Sequence, residues 1–320
     1  MANLKPKIAI GVITHRRLDM LSTLLDSILA MAPLPDADII VVVVENDTVM
    51  TTQSLVEGHP LGEVFAVKLA LQPELGIPFA RNKVLDMALA EGCDFLAFVD
   101  DDEVVAQDWL QKLYAGIATR DLDLVGGPVL FDPPAGAELA FVQRSVLADV
   151  RTRAARNHAE RAQSVGSARE GGFAIFTGNW MLRLATQRRL GTRFDESLRF
   201  SGGEDSAFHA SFAAAGGRTG WVADAVATEI RPLSRLTLRY HFQRCRDLEM
   251  SRLSRRPKRK LDAFVMYFVG VMRATVYLLV SPFDKFRGLA LAARNLGKAT
   301  GRVQAAFGQQ SQHYTPGTTS

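Results

Sequence analysis

The sequence predicts an α/β protein, a doubly wound sheet flanked by helices. Three observations carry that class. Short apolar runs recur at residues 7–13, 39–44 and 95–99, the second almost purely β-branched, as strands covered on both faces of a parallel sheet require. Between them lie stretches whose apolar residues fall at helical spacing. The connections are short, and strand–helix alternation with short links builds an open sheet with helices on both faces.

The elements follow in order. After the first strand, 7–13, a helix carries Leu18, Leu21, Leu24, Leu25, Ile28 and Leu29 at a spacing that gives it one apolar face, and it is ended by Pro33 and Pro35. The second strand, 39–44, runs into the polar turn Glu45-Asn46-Asp47-Thr48, and a third strand is predicted at 64–69. A helix over 79–91 buries Val84, Leu85, Ala88 and Leu89 and stops at Gly92. The strand 95–99 leads into Asp100-Asp101-Asp102-Glu103, and the next helix buries Trp109, Leu110, Leu113, Tyr114 and Ile117. Residues 124–131 read as one more strand, punctuated by Gly126-Gly127-Pro128. An arginine-rich stretch, 144–169, reads as helix and loop without a core role. Then come an ordered block at 173–180, Phe194-Asp195-Glu196, Gly202-Gly203-Glu204-Asp205, and a short helix with Phe208 and Phe212 that ends at Gly216-Gly217. There is no internal repeat.

The acidic run at the end of the 95–99 strand is the strongest chemical signal. Four adjacent acids repel one another, and a bound cation or basic partners relieve that best. In extended backbone, residues two apart share a face, so Asp100 and Asp102 can aim at one ion. Oxygen ligands select Mg2+ or Mn2+, which commonly completes its shell with substrate phosphates. The competing reading is a solvated acidic turn before the helix that starts near Gln107. In doubly wound sheets ligands sit beyond the carboxyl ends of the strands, and residues 45–48 and 100–103 both lie at such ends.

Composition bounds the remaining classes. With 320 residues the chain can build one large or two modest domains, and a net charge of +4 is too mild for a polycation. Cys93 and Cys245 supply neither a disulfide framework nor a zinc site, and they point to a reducing, cytoplasmic setting. The first six residues hold no apolar signal-peptide core, so the expectation is a protein that is not exported. No Gly-x-Gly-x-x-Gly follows a strand, which argues against a dinucleotide oxidoreductase.

Taken in order, the motifs resemble those of the family 2 glycosyltransferases, nucleotide-sugar enzymes with the GT-A fold. The matching pieces are the first strand into Thr14-His15-Arg16-Arg17, the second into Glu45-Asn46-Asp47-Thr48, Gly76 through Ala80-Arg81-Asn82, Asp100-Asp101-Asp102, Thr177-Gly178-Asn179, Phe194-Asp195-Glu196 and Glu204-Asp205. They span residues 7–240, and the set is most similar to bacterial exopolysaccharide glucosyltransferases of the succinoglycan type. The resemblance implies a GT-A type mixed sheet and a metal-dependent, inverting transfer from a UDP-sugar.

On that resemblance the nucleotide-sugar contacts are Thr14, Arg17, Glu45, Asp47, Arg81, Asp100 and Asp101, and Asp100 with Asp102 hold the metal, Mg2+ or Mn2+. Glu45 stands where an aspartate commonly reads the uracil ring, with Asp47 as its rival. Asp205 is the implied general base, and Gly178, Asn179 and Glu204 line the acceptor side. Each has a plainer reading: Glu204 and Asp205 as helix caps, Arg81 as a surface cation, Thr14 and Arg17 as a helix N-terminus. A histidine frequent in the family after the last sheet strand is replaced here by Glu229, and His241 reads as structural.

The C-terminal part adds a location. Arg252, Arg255, Arg256, Lys258, Arg259 and Lys260 precede the apolar stretch 263–280, and cations beside an apolar segment suit an anionic leaflet, roughly 1 kcal/mol each. Arg273 sits mid-stretch, which favours an in-plane or re-entrant amphipathic helix over a spanning one. A second amphipathic segment covers 286–307, and the last dozen residues read as a disordered tail. The expected organisation is a catalytic domain at 1–240, with a nucleotide-sugar half at 1–130 and an acceptor half at 131–240, followed by a basic membrane-associating segment at 241–320. The expected partners are a UDP-sugar, a lipid-linked or oligosaccharide acceptor and the cytoplasmic face of the inner membrane, with no nucleic acid. Two other functions remain: a sugar-phosphate nucleotidyltransferase, disfavoured by the glycine-poor segment 11–17, and an inactive α/β scaffold binding membrane or nucleic acid through its basic segment.

Overall fold

The computed structural model describes residues 5–167, 169–200, 202–254, 260–283 and 287–309. The chain forms two compact units, one of residues 1–130, 156–199 and 204–229, the other of 131–155, 200–203 and 230–320. In chain order the elements of the first 130 residues are β1 (Lys7–Thr14), α1 (Leu18–Leu29), β2 (Asp38–Glu45), α2 (Gln53–Glu57), α3 (Leu61–Val64), β3 (Ala66–Leu71), α4 (Ile77–Ala90), β4 (Phe95–Val99), β5 (Glu103–Val105), α5 (Trp109–Thr119), β6 (Leu124–Gly126) and the start of β7 (Val129–Asp132). Then follow α6 (Phe141–Ser164), β8 (Asn179–Arg183), α7 (Leu184–Leu190), α8 (Glu204–Ala214), β9 (Thr219–Trp221), β10 (Ala227–Ile230), α9 (Leu238–Ser254), α10 (Lys260–Val280) and α11 (Arg287–Ala306).

A seven-stranded sheet in the order β3-β2-β1-β4-β8-β6-β9 organises the first unit. The strands β1 to β4 run parallel, β8 runs antiparallel to both β4 and β6, and β9 is parallel to β6, so the sheet is mixed. Register aligns Thr14 with Glu45 and Gly11 with Phe98, which brings the carboxyl ends of β1, β2 and β4 to one edge. Alternate strand residues feed two cores. Ile8, Ile10, Val12, Val41 and Val43 pack with Leu21, Leu25 and Trp109 on one face, and Val42, Val44, Leu96, Phe98 and Trp180 pack with Val84, Phe208 and Phe212 on the other. Strands buried on both faces explain the continuous apolar runs.

Three predicted elements differ in detail. The third strand starts at Ala66 because Leu61–Val64 is already helical. Residues 124–131 are two strands, interrupted at Gly127-Pro128, where the proline lacks a backbone donor and the Gly127 N–H goes to the Asn179 carbonyl. The arginine-rich stretch has a core role after all: Val146, Leu147, Val150 and Ala154 of α6 are buried at helical spacing, and the arginines between them hide that pattern.

The second unit packs its own small core, Val146 and Leu147 with Leu236 and Ala290. His241 is buried there with Nε2 3.1 Å from Asp149, whose other oxygen accepts from Arg294 at 2.8 Å, a structural use of the histidine. At Gly297 a β-carbon would stand 2.4 Å from the Phe242 carbonyl, so α11 approaches α9 as closely as backbones allow. Helix α10 is long and apolar enough to cross a membrane over Leu261–Val280, with a mean hydropathy of 1.9 and 17% of it buried. Residues 255–259 of the basic run and the tail from 310 lie outside the described residues.

Candidate active site

Most of the predicted site side chains gather at the carboxyl edge of the first unit's sheet, in two groups that meet. At the end of β1, Thr14 Oγ1 donates to Asp101 Oδ2 at 2.7 Å, and Arg17 Nη1 donates to Asp101 Oδ1 at 2.9 Å and lies 3.5 Å from Asp102. Burial pushes Asp101 up to about 6, against the pull of Arg17. Glu103 is buried, accepts the Asp100 N–H at 3.1 Å and is pushed well above the carboxylate range by burial and then by Asp100 and Asp102. Across the β5–β10 pair it faces Glu229.

The second group is built on α4 and α8. Arg81 is buried, donates Nη2 to Asp100 Oδ1 at 3.2 Å and Nη1 to Glu204 Oε1. Burial works against its charge, but Glu204, Asp100 and Asp205 outweigh burial and hold the guanidinium firmly protonated. Asp100 keeps 38% of its side chain exposed; surrounding protein pushes its pKa up and Arg81 opposes the rise. Asp205 lies in the first turn of α8 and accepts the Ser206 N–H at 2.6 Å. Burial and the neighbouring Glu204 raise its pKa to about 6, with Arg81 pulling the other way.

Gly178 completes the meeting point. A β-carbon there would stand 2.6 Å from Glu103 Oε1 and 3.3 Å from Asp100 Oδ2, so only glycine leaves the space beside those oxygens open. Among the described residues, no group of three or more His, Cys, Asp or Glu side chains is placed to hold a metal ion.

Three predicted residues turn their side chains to other partners. Glu45 is buried and accepts from Thr51 N at 2.6 Å, Thr52 N at 2.9 Å and both threonine hydroxyls, bonds that outweigh burial and lower its pKa. Asp47 is held by Arg16, Nε at 2.5 Å and Nη2 at 3.2 Å, and by the Thr48 N–H. Asn179 is interior: its amide accepts from Trp109 Nε1 at 2.8 Å and donates to the Pro128 and Ala225 carbonyls.

Sequence reasoning passed over two residues here. Asn46 ties the 72–76 loop to β2, accepting from Gly76 N at 2.8 Å and donating to the carbonyls of Gln72 and Glu74. Arg16 adopts the left-handed region at φ 54°, uncommon for a side chain this large and frequent at functional turns. An asparagine at a strand end is a loop-tying signal that could have been read; the backbone of Arg16 left none.

A protein-family model described as glycosyltransferase like family 2 matches residues 6–248. The chain is a family 2 glycosyltransferase. The succinoglycan biosynthesis protein ExoM of Rhizobium meliloti (strain 1021) is 33% identical to this glycosyltransferase over 247 residues, 76% of this chain and 73% of that one. Among solved structures, S. aureus TarS 1-349 in complex with UDP aligns with a TM-score of 0.52 and 16% identity, over 95% of this chain and 92% of that one. The complex of the same protein with UDP-GlcNAc gives the same TM-score and coverage. At that identity the likeness concerns the fold, the GT-A arrangement of a mixed sheet with helices on both faces.

Proposed function

We propose that this glycosyltransferase moves a sugar from a UDP-sugar to a glycan acceptor, inverting the anomeric centre, with Asp205 as general base. The observation that carries the reading is Arg81, which ties the donor-side carboxylate Asp100 to Glu204, the neighbour of Asp205. UDP and UDP-GlcNAc complexes of TarS support the donor, and the name of ExoM supports exopolysaccharide synthesis as the setting. A lipid-linked acceptor is part of this proposal and follows from the membrane seat of the second unit. The catalytic part is 1–240. Thr14, Arg17 and Asp101 shape the nucleotide-sugar end, Glu45 and Asp47 hold the loop that receives the uracil, and Gly178 and Glu204 frame the acceptor end, with the buried Asn179 bracing the strand behind Gly178.

The residues fit Mg2+ or Mn2+. Asp100 and Asp102 offer hard oxygen donors, Gly178 leaves room beside Asp100, and the crowded acids around them favour a cation. Two carboxylates plus substrate phosphates is a usual Mg2+ arrangement. When bound, the metal neutralises the charge that develops on the departing diphosphate. The chain's own work is to hold the donor at β1 and β4 while Asp205 takes the acceptor proton; attack opposite the leaving group inverts the centre. Asp102→Asn is expected to abolish metal-dependent UDP binding in calorimetry. Undiminished binding by that variant, or by the wild type in chelator, would count against the metal site.

The second unit seats the enzyme on the cytoplasmic face of the membrane. On α10, Leu261, Phe264, Val265, Phe268, Met272, Val276 and Leu279 are exposed along one stripe, and Arg273 lies about 120° round the helix from its centre. An uncharged stripe with a cation at its flank suits a helix lying in the interface rather than crossing it. Exchanging Phe268 and Met272 for glutamate is expected to release the full chain from anionic vesicles in a sedimentation assay. Persistent pelleting would move the anchor elsewhere.

A further inference from the structure

Beside the acceptor end lies a cluster that the reaction does not use. The Arg161 guanidinium sits 5.1 Å from the Trp221 ring, 5.6 Å from Phe176 and 5.9 Å from Phe173. Among the described residues no carboxylate pairs with it. Its Nη2 bonds the Ala174 carbonyl at 3.1 Å, and its buried Nε bonds nothing. Three more buried polar atoms on the surrounding elements lack a partner: Thr177 Oγ1, His209 Nε2 and Trp221 Nε1. All three side chains belong to buried residues, with 2%, 7% and 7% exposure. Native proteins pair buried polar groups almost without exception, so three orphans around a cation that carries a fourth call for a ligand or water.

The cluster is placed to meet the acceptor. Thr177 precedes Gly178, the residue that stands against Asp100 and Glu103. His209 is one turn beyond Asp205 on α8, and it is close enough to Arg161 that burial and that cation together lower its pKa. Arg161 Nε and Trp221 Nε1 can only donate, so the missing partner must accept. Phe176 is 49% exposed, and His158, stacked on Trp221 at 5.9 Å, is partly exposed, so the cluster opens to solvent on that side. An arginine flanked by aromatic rings offers a planar anion a fork and a sugar ring a stacking face.

We propose that Arg161, Trp221, His209 and Thr177 form an acceptor subsite that recognises an anionic group on the acceptor, a carboxylate of an acidic sugar or a phosphate. The subsite rests on the reading of Asp205 and α8 as the acceptor end. It makes this glycosyltransferase selective for acidic acceptors over neutral ones.

The test uses the full chain with no nucleotide sugar present. Tryptophan fluorescence is followed while glucuronate, methyl phosphate or neutral methyl glucoside is added, with sodium chloride at matched ionic strength as the blank. One or both anions are expected to give a saturable change that the glucoside and the blank do not. Response to glucuronate alone assigns an acidic sugar, and response to methyl phosphate alone assigns a phosphate. Arg161→Gln should weaken the response at least about tenfold, and Arg161→Lys, which keeps charge but not the fork, should fall between. Trp221→Phe should remove the signal, with melting curves confirming that each variant is folded. The proposal is overturned if neither anion responds, if the neutral sugar responds equally, or if folded Arg161→Gln and Arg161→Lys both titrate like the wild type. Because no donor is involved, that failure leaves Asp205 untouched, and loss of the Asp205 role would show only in turnover.

Discussion

Asp205→Asn is expected to lower kcat by about two orders of magnitude or more while donor binding changes by less than about twofold. The substitution keeps the shape of the side chain and an oxygen for the Ser206 N–H, and it leaves the Arg81–Glu204 pair in place. What it removes is the capacity to accept a proton from the acceptor hydroxyl. The same carboxyl sets a pH profile. Burial and Glu204 raise it to about 6, so in the wild type kcat/KM should fall as pH drops through about 6, where the base takes up a proton and stops working. The stability linkage has the opposite sign. A carboxyl that holds its proton more tightly in the fold contributes less stability as pH rises from 3.8 to about 6, and Asp205→Asn should flatten that slope. UDP release at several pH values and donor calorimetry on the variant separate these effects. Near-normal turnover would remove Asp205 from its role.

The fold was readable because parallel strands buried on both faces leave unbroken apolar runs, and β2 with β4 show them plainly. The acidic strand ends were readable for the same reason, since polar residues stop such runs abruptly. What sequence could not show is how those carboxylates are spent. Glu45 and Asp47 differ in nothing a local pattern records, yet one closes on Thr51 and Thr52 and the other on Arg16. Arg81 and Glu204 are 123 positions apart, and only the packing of α4 and α8 on the same face of one sheet joins them. Long α6 hid its core stripe because Arg144, Arg151, Arg153 and Arg156 flank and interrupt Val146, Val150 and Ala154. Arg161 passed as one more surface cation of that helix, since the rings around it come from residues 173–176 and from β9.

Arg81→Met is expected to destabilise the first unit by about 3–5 kcal/mol, the usual result of removing one partner from a buried ion pair. Arg81 and Glu204 are both almost fully buried, and Arg81 also answers Asp100 and Asp205. Without it, Asp100, Glu204 and Asp205 lose the cation that acts on all three, Arg17 is left to act on Asp100, and the acids must either take up protons or repel one another. Two consequences separate this from loss of packing, which methionine largely preserves. The acid limb of the pH profile should move upward from about 6, because the cation that favours ionised Asp205 is gone. In addition, Glu204→Gln should cost less in the Arg81→Met background than in the wild type, a coupling that a double-mutant cycle reads directly from denaturant unfolding. A single-variant loss below about 1 kcal/mol, with no coupling to Glu204, would mean that solvent and not Arg81 balances these acids. The donor and acceptor halves of the site would then have no common charge between them, and the chief support for a single reaction centre would be lost.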